Sequence, residues 1–112
     1  MLKKLIATGL TAMAIALGGT AAASAGYVGP NESVSFWDVF YAGEYSEVCI
    51  QGNGWSDIDL WVYDENGNFI GSSTSYGSYE CVSFRPKWTG EFTFVVENEG
   101  KPSGSYFDIW IV

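Results

Sequence analysis

Residues 56–69, with the sequence SDIDLWVYDENGNF, constrain the fold more than any other part of the chain. Ile58, Leu60 and Val62 alternate with acidic and aromatic residues, which is the pattern of a strand with one buried face. The residues that follow supply the aspartate, asparagine and glycine chemistry of a tight turn. We therefore expect a β-hairpin here, with Asp57 and Asp59 on the outward face of its first strand.

The same alternation recurs along most of the chain. The predicted strands cover residues 35–41, 45–51, 57–63, 69–70, 79–84, 91–97 and 105–112. Residues 27–35 read as an extended leader, and no sustained helical period occurs after the first 25 residues. About seven short strands separated by turn residues predict an all-β fold, a single antiparallel β-sandwich domain.

The start of the chain has the features of an export signal. Two lysines, an apolar segment at residues 5–17 and a small-residue cleavage site at residues 23–25 occur in that order. The apolar segment is too short for a membrane span, although a retained anchor is the alternative. We expect a signal peptide at residues 1–25, with residues 26–112 secreted to the periplasm or the exterior as one domain without a membrane span.

Two cysteines, Cys49 and Cys81, lie in predicted strands of the exported part. Disulfides persist in oxidising compartments, and a domain this small gains from a covalent link. The alternatives are a metal site or a reactive thiol. Two cysteines without any histidine make a poor zinc site, and no neighbouring residue would lower a thiol pKa. We therefore predict one disulfide.

The charge is strongly acidic. The chain has 13 acidic and five basic residues, for a formal net charge of −8. Such a surface repels phosphate backbones, which excludes nucleic acid as a partner and leaves cations and basic surfaces. The alternative interpretation of the acidity is solubility alone.

Four segments together carry a family resemblance: DIDLWVYD at residues 57–64, NGN at 66–68, TGEFTFVV at 89–96 and FDIWI at 107–111. In this order and spacing they resemble the bacterial pre-peptidase C-terminal domain family, whose relatives include collagen-binding domains of clostridial collagenases. The resemblance extends over residues 32–112.

The resemblance implies a secreted, jelly-roll-like β-sandwich that is not itself catalytic. Members are usually appended to a protease or another exported enzyme, some bind calcium, and some bind collagen through exposed tyrosines. This chain departs from that architecture, because the domain directly follows the predicted signal peptide.

Asp57 and Asp59 are the candidate metal ligands. Two residues apart on a strand, they share a face about 7 Å apart at the backbone. Calcium is bound by several oxygen atoms, which these carboxylates, the Asn53 side chain and loop carbonyls could supply. The alternative is that the aspartates accept hydrogen bonds from loop amides and hold the strand entry.

The turn after this strand resembles a calcium-binding EF-hand loop only in composition. Its glycine is at position 67 where the motif requires 69, and the twelfth position is Ser75 where the motif requires glutamate. We therefore expect Asp64, Asn66 and Asn68 to cap the turn.

Aromatic residues form the candidate binding face. Trp61, Tyr63, Tyr106 and Trp110 occupy positions opposite the predicted core, and further candidates are Tyr76, Tyr79 and Trp88. Exposed aromatic side chains suit recognition of protein or polysaccharide. The alternative is that about half of these aromatic residues pack beneath loops or between sheets.

Catalysis is not expected. The chain has no histidine, and no serine lies beside an evident base. We predict a secreted, non-catalytic binding or accessory module, calcium-stabilised, that recognises protein or glycan through an aromatic face. The alternatives are a structural or adhesive envelope protein and, third, a small secreted hydrolase that uses a carboxylate pair.

Overall fold

The structure is a computed structural model that describes residues 7–8, 24–54, 56–99 and 103–112. These residues form nine strands and no helix, and hence no helix that could cross a membrane. The strands are β1 (Ala7–Thr8), β2 (Ser24–Val28), β3 (Ser33–Phe40), β4 (Ser46–Gln51), β5 (Ile58–Tyr63), β6 (Phe69–Ser73), β7 (Tyr79–Phe84), β8 (Gly90–Asn98) and β9 (Ser105–Ile111).

The strands form two antiparallel sheets. The front sheet has the order β1-β3-β8-β5-β6, and the rear sheet has the order β2-β9-β4-β7. Apart from the β5–β6 hairpin, strands adjacent in sequence alternate between the sheets from β2 onwards, which is the jelly-roll arrangement. The predicted fold class, an antiparallel all-β sandwich, is confirmed.

The first part of the domain differs from the prediction. Residues 27–35 were expected to form a leader, but Tyr27 and Val28 belong to β2, which pairs with β9. The sequence signal is weak because Gly26 interrupts the alternation. That glycine is needed by the packing, since a Cβ atom there would lie 2.8 Å from the ring of Phe107.

The predicted signal peptide lies largely outside the described residues. Its proposed cleavage point, after Ala25, falls within β2. Residues 26–28 of that strand would remain in the secreted domain.

Phenylalanine rings fill the space between the sheets. Phe40 lies against Phe84, Phe92 and Phe94, with ring centroids 5.1, 5.9 and 5.5 Å away. All four side chains are buried and come from both sheets. Offset and edge-to-face contacts of this kind add about 0.5–1.5 kcal/mol per pair to the gain from burial.

The turn between β5 and β6 is capped as predicted. Asp64 Oδ1 accepts hydrogen bonds from the backbone amides of Asn66 and Asn68, both at 2.8 Å, and Oδ2 accepts one from Asn68 Nδ2 at 3.0 Å. Burial alone would raise the pKa of Asp64, but these hydrogen bonds outweigh it and hold the pKa below its ordinary value.

The predicted disulfide between Cys49 and Cys81 is present. The two residues are directly opposite each other in the β4–β7 pair. Their neighbours Val48, Ile50 and Val82 point into the core, so the bridge lies on the outer side of the rear sheet.

Removal of the bridge by the double substitution Cys49→Ala and Cys81→Ala should lower the free energy of unfolding by about 3.5 to 4 kcal/mol, because the unfolded chain regains the freedom of a loop spanning 32 residues. The corresponding fall in Tm is about 15 °C or more for a domain of this size. Thermal unfolding followed by circular dichroism measures it. Reductant should lower the Tm of the wild type and leave that of the variant unchanged; an unchanged wild-type Tm would contradict the prediction.

Candidate functional site

An acidic cluster lies where β5 begins. Asp59 is opposite Glu97 in the β5–β8 pair, and the backbone amide of Glu99 donates to the carbonyl of Asp57 at 3.2 Å. Glu80 enters from β7 of the other sheet. Carboxylate oxygens of Asp57, Asp59 and Glu80 lie within 4.8 Å of one another.

A second group overlaps the first at Asp59. Oxygens of Asp59, Glu97 and Glu99 also lie within 4.8 Å of one another. Asp59 is therefore the common member of the acidic cluster, which we define as Asp57, Asp59, Glu80, Glu97 and Glu99. Its side chain was expected on the outward face, but it is only 1% exposed.

Sequence reasoning found two of these five residues. The three glutamates were missed because β7 and β8 reach the cluster through strand pairing and sheet packing, which a local pattern does not encode. The only signal available was the position of Glu97 and Glu99 at the end of a predicted strand.

The Asp59 carboxyl group and one oxygen of Asp57 lack amide and hydroxyl donors. Among the described residues no N–H group and no hydroxyl donates to either oxygen of Asp59, to Asp57 Oδ1 or to Asn98 Oδ1. Asn98 is fully buried and is paired with Ile58. A buried acceptor without a donor costs about 1–3 kcal/mol, and more when it is charged. The loop-amide alternative for Asp59 is therefore wrong.

Glu80 differs from the aspartates in its surroundings. Ser73 Oγ donates to Glu80 Oε1, and Ser75 Oγ lies 2.8 Å from Oε2. Glu80 is thus held in place by two hydroxyl groups, although it is 1% exposed. Because Glu80 is fixed and lies close to Asp59, it contributes to the burial of the Asp59 carboxyl group.

The environment of Asp59 raises its pKa to about 7. Burial is the largest cause, followed by a hydrogen bond with the Glu99 carboxyl group and by repulsion from Asp57, Glu99 and Glu80. Two carboxyl groups share a hydrogen bond only when one of them carries a proton. Without a counter-charge, the cluster therefore retains a proton that an ordinary aspartate would have lost.

The arrangement suits a hard cation. Such ions take six or more oxygen ligands, and the acidic cluster offers three aspartate oxygens to which no amide or hydroxyl among the described residues donates. Asn53, the third predicted ligand, contacts the start of β9: its backbone N–H donates to Ser105 Oγ at 3.3 Å and its Nδ2 to the Gly104 carbonyl at 3.5 Å. The structure thus brings Asp57 and Asp59 together with the glutamates.

The four predicted binding residues lie on two opposite surfaces. Trp61 and Tyr63 are on the outer side of the front sheet, since Leu60 and Val62 point into the core. Together with Val95 and Glu97 they line a hollow of about 200 Å³, the front hollow. The ring of Phe69 lies 6.1 Å from Trp61 and 6.2 Å from Tyr63.

Tyr106 and Trp110 are on the outer side of the rear sheet. Tyr106 contacts Tyr27 with ring centroids 4.8 Å apart, and Trp110 contacts Tyr79 at 6.3 Å. We call these four residues the rear aromatic surface. Because β5 and β9 belong to different sheets, the rear aromatic surface and the front hollow cannot contact one ligand face together.

Glu97 connects the acidic cluster to the front hollow. It is a member of both, because it is paired with Asp59 and lies beside Trp61 and Tyr63. The cluster itself contains carboxylates alone, so its own chemistry is the binding of cations and protons. Both cysteines of the chain are in the disulfide.

Comparison with solved structures identifies proteins of the same fold. The pre-peptidase C-terminal domain of a collagenase from Bacillus anthracis superposes with a TM-score of 0.68 at 10% identity, over 84% of this chain and 90% of that one. A periplasmic inhibitor of g-type lysozyme from Aeromonas hydrophila gives a TM-score of 0.58 at 14% identity, over 97% and 98%.

A family 16 carbohydrate-binding module gives a TM-score of 0.50 at 14% identity, over 93% of this chain and 86% of that one. No family model and no curated protein matches the sequence. At these identities the likeness establishes the fold, which is the one that the sequence resemblance implied.

The raised pKa of the buried Asp59 carboxyl group predicts an unusual pH dependence of stability. Since burial raises its pKa from 3.8 to about 7, the stabilisation from its protonation is complete below pH 3.8 and is lost as the pH rises through 7. Asp59→Asn should therefore raise the Tm of chelator-treated protein at pH 8 by several degrees, and less at pH 5.

Asp108→Asn is the matched control, because it removes the same charge from an exposed position on β9. Thermal unfolding of the three proteins between pH 4 and pH 8 measures the difference. An Asp59→Asn variant with the pH profile of the wild type would show that Asp59 titrates normally.

Proposed function

We propose that this chain is an exported, non-catalytic recognition module that binds an extracellular glycan or protein through the front hollow and is stabilised by calcium at the acidic cluster. The observation that carries the proposal is the position of Glu97, which belongs to both. A cation held by the cluster would lie next to the front hollow. Cation binding and ligand binding would therefore be coupled.

Asp57, Asp59, Glu97 and Glu99 are the residues that would hold the ion. Both oxygens of Asp59 and Oδ1 of Asp57 are buried without an amide or hydroxyl donor among the described residues, and a bound cation would relieve that condition. Calcium, when bound, supplies the positive charge that lets these carboxylates ionise together. Glu80 would support the site from β7, where the two serine hydroxyls fix it.

The front hollow has the size and lining for a ring-shaped group. Its volume is about 200 Å³, and Trp61 and Tyr63 are half-buried, so their positions are fixed while part of each ring stays accessible. Aromatic side chains with few rotatable bonds lose little entropy on binding. The Glu97 carboxylate adds a hydrogen-bond acceptor for a hydroxyl or amide group.

The comparisons support a binding role only through the shared fold, since proteins with this fold include binding proteins. Two proteins with this fold are described as a carbohydrate-binding module and as a lysozyme inhibitor. Export is supported by the predicted signal peptide and by the disulfide, which requires an oxidising compartment.

A lysozyme inhibitor is the second candidate. It is favoured by the superposition on the Aeromonas hydrophila inhibitor, which covers nearly the whole of both chains. The net charge of −8 suits a basic partner surface. In this case the recognised molecule is an enzyme and the polysaccharide is not contacted.

Calcium should raise the Tm of the wild type. At a concentration of about 100 times the Kd, binding adds about 2.7 kcal/mol to the free energy of unfolding. The double variant Asp57→Asn with Asp59→Asn should lose this response, whereas Asp108→Asn should keep it. Thermal unfolding with calcium and with chelator provides the measurement, and a response that survives in the double variant would place the ion elsewhere.

Trp61→Ala should weaken ligand binding by about 30-fold, because a buried aromatic contact at a binding site contributes about 2 kcal/mol. Tyr106→Ala is the control, since it removes an exposed aromatic ring from the rear aromatic surface. Sedimentation with insoluble polysaccharides and collagen, and titration with a g-type lysozyme, measure binding in calcium and in chelator.

The panel separates the two candidates. Polysaccharide or collagen binding that Trp61→Ala and chelator both weaken supports the first candidate. Inhibition of lysozyme activity by the wild type supports the second. Equal losses in Trp61→Ala and Tyr106→Ala would contradict a role for the front hollow.

A further inference from the structure

A groove of about 430 Å³ opens at one side of the sandwich, away from the acidic cluster. It lies where β6 and β7, the last strands of the two sheets, come together, and it continues along the residues that follow β7. We call it the edge groove. The residues used below are Phe69, Phe84, Arg85, Lys87, Trp88 and Phe92.

The edge groove is apolar at its base. Phe84 and Phe92 are buried there with ring centroids 5.3 Å apart. Two larger side chains stay exposed at the rim, where Phe69 is 57% and Trp88 is 40% exposed. Apolar surface arranged as a concave wall binds organic groups by removing both partners from water.

The charge of the edge groove is opposite to that of the protein. Arg85 and Lys87 are two of the three basic residues after Ala25, where all 13 acidic residues also lie. No acidic residue is among the groove's lining residues. Two positive charges therefore lie on one apolar concavity of an otherwise anionic surface. The Glu47 carboxylate reaches the edge of the groove, where it accepts a hydrogen bond from Ser83 Oγ at 3.3 Å.

Arg85 and Lys87 differ in their contacts with the rest of the protein. Arg85 Nη1 donates to the Gly43 carbonyl at 2.6 Å, and the guanidinium carbon lies 5.9 Å from the centre of the Tyr45 ring, so its position is fixed. Lys87 is exposed and has no hydrogen bond or ion pair within the described residues. Its ammonium group is thus available to a ligand.

We propose that the edge groove binds a small organic anion, an aryl or short acyl carboxylate. The ring or chain lies against Phe84, Phe92 and Trp88, and the carboxylate pairs with Lys87 in the positive field of Arg85. A neutral sugar fits less well, since Ser83 is the single hydroxyl in the lining. Nucleic acid is disfavoured by the negative charge around the groove.

This proposal stands apart from the proposed function. It uses neither the acidic cluster nor the front hollow, and it requires no calcium. Phe69 borders both regions, since it lies close to Trp61 and also at the rim of the edge groove, but the base and the cations of the groove do not include Trp61. Trp61→Ala should consequently leave binding in the edge groove unchanged.

The test uses 2-naphthoate as the probe and its neutral analogue 2-naphthylmethanol as the comparison, titrated into the full secreted domain and followed by NMR chemical shifts. The wild type should bind 2-naphthoate at least about fivefold more tightly than the alcohol. Lys87→Gln should remove that preference, and Trp88→Ala should weaken binding of both compounds. Added salt should reduce the preference, because an exposed ion pair is screened.

Thr74→Glu provides the matched control, since it also lowers the net charge by one at an exposed residue that does not line the groove. It should leave the preference for 2-naphthoate in place. The proposal is overturned by the absence of 2-naphthoate binding at millimolar concentration, by equal binding of acid and alcohol, or by equal effects of Lys87→Gln and Thr74→Glu. Trp88→Ala binding both probes like the wild type would equally overturn it.

Discussion

Burial of two facing sheet surfaces determines where every other feature of this protein lies. Side chains from both sheets fill a core of phenylalanine, isoleucine and valine, and antiparallel pairing keeps every second residue of each strand in that core. The intervening residues must point outward. The acidic cluster, the front hollow and the rear aromatic surface are composed largely of such residues.

The acidic cluster destabilises the fold, because strand pairing and sheet packing bring several carboxylates together. Asp59 is buried, and the glutamates grouped with it come from β7, from β8 and from the residue after Asn98. Repulsion among carboxylates destabilises the fold unless a proton or cation neutralises it. A small domain has little free energy of folding to offset this repulsion, which is why we propose a cation-binding role for the cluster.

Local features of the fold were predictable, and long-range ones were not. The strand at Asp57–Tyr63, its capped turn and the disulfide follow from alternation, turn chemistry and cysteine count. β2 was missed because Gly26 interrupts its apolar alternation. The glycine is needed there because it is paired with Phe107, whose ring leaves no room for a side chain. Glu80 and Glu97 were missed, and Tyr106 was grouped with Trp61, because alternation tells inward from outward but does not say which sheet a strand joins.

The disulfide has a consequence for association between molecules. β7 is the terminal strand of the rear sheet, and a terminal strand presents unpaired backbone groups to which another chain can add. Its link to β4 prevents β7 from peeling away to exchange with the same strand of a neighbouring copy. We therefore expect the oxidised protein to resist exchange of β7 between copies, and reduction of the disulfide to remove that protection.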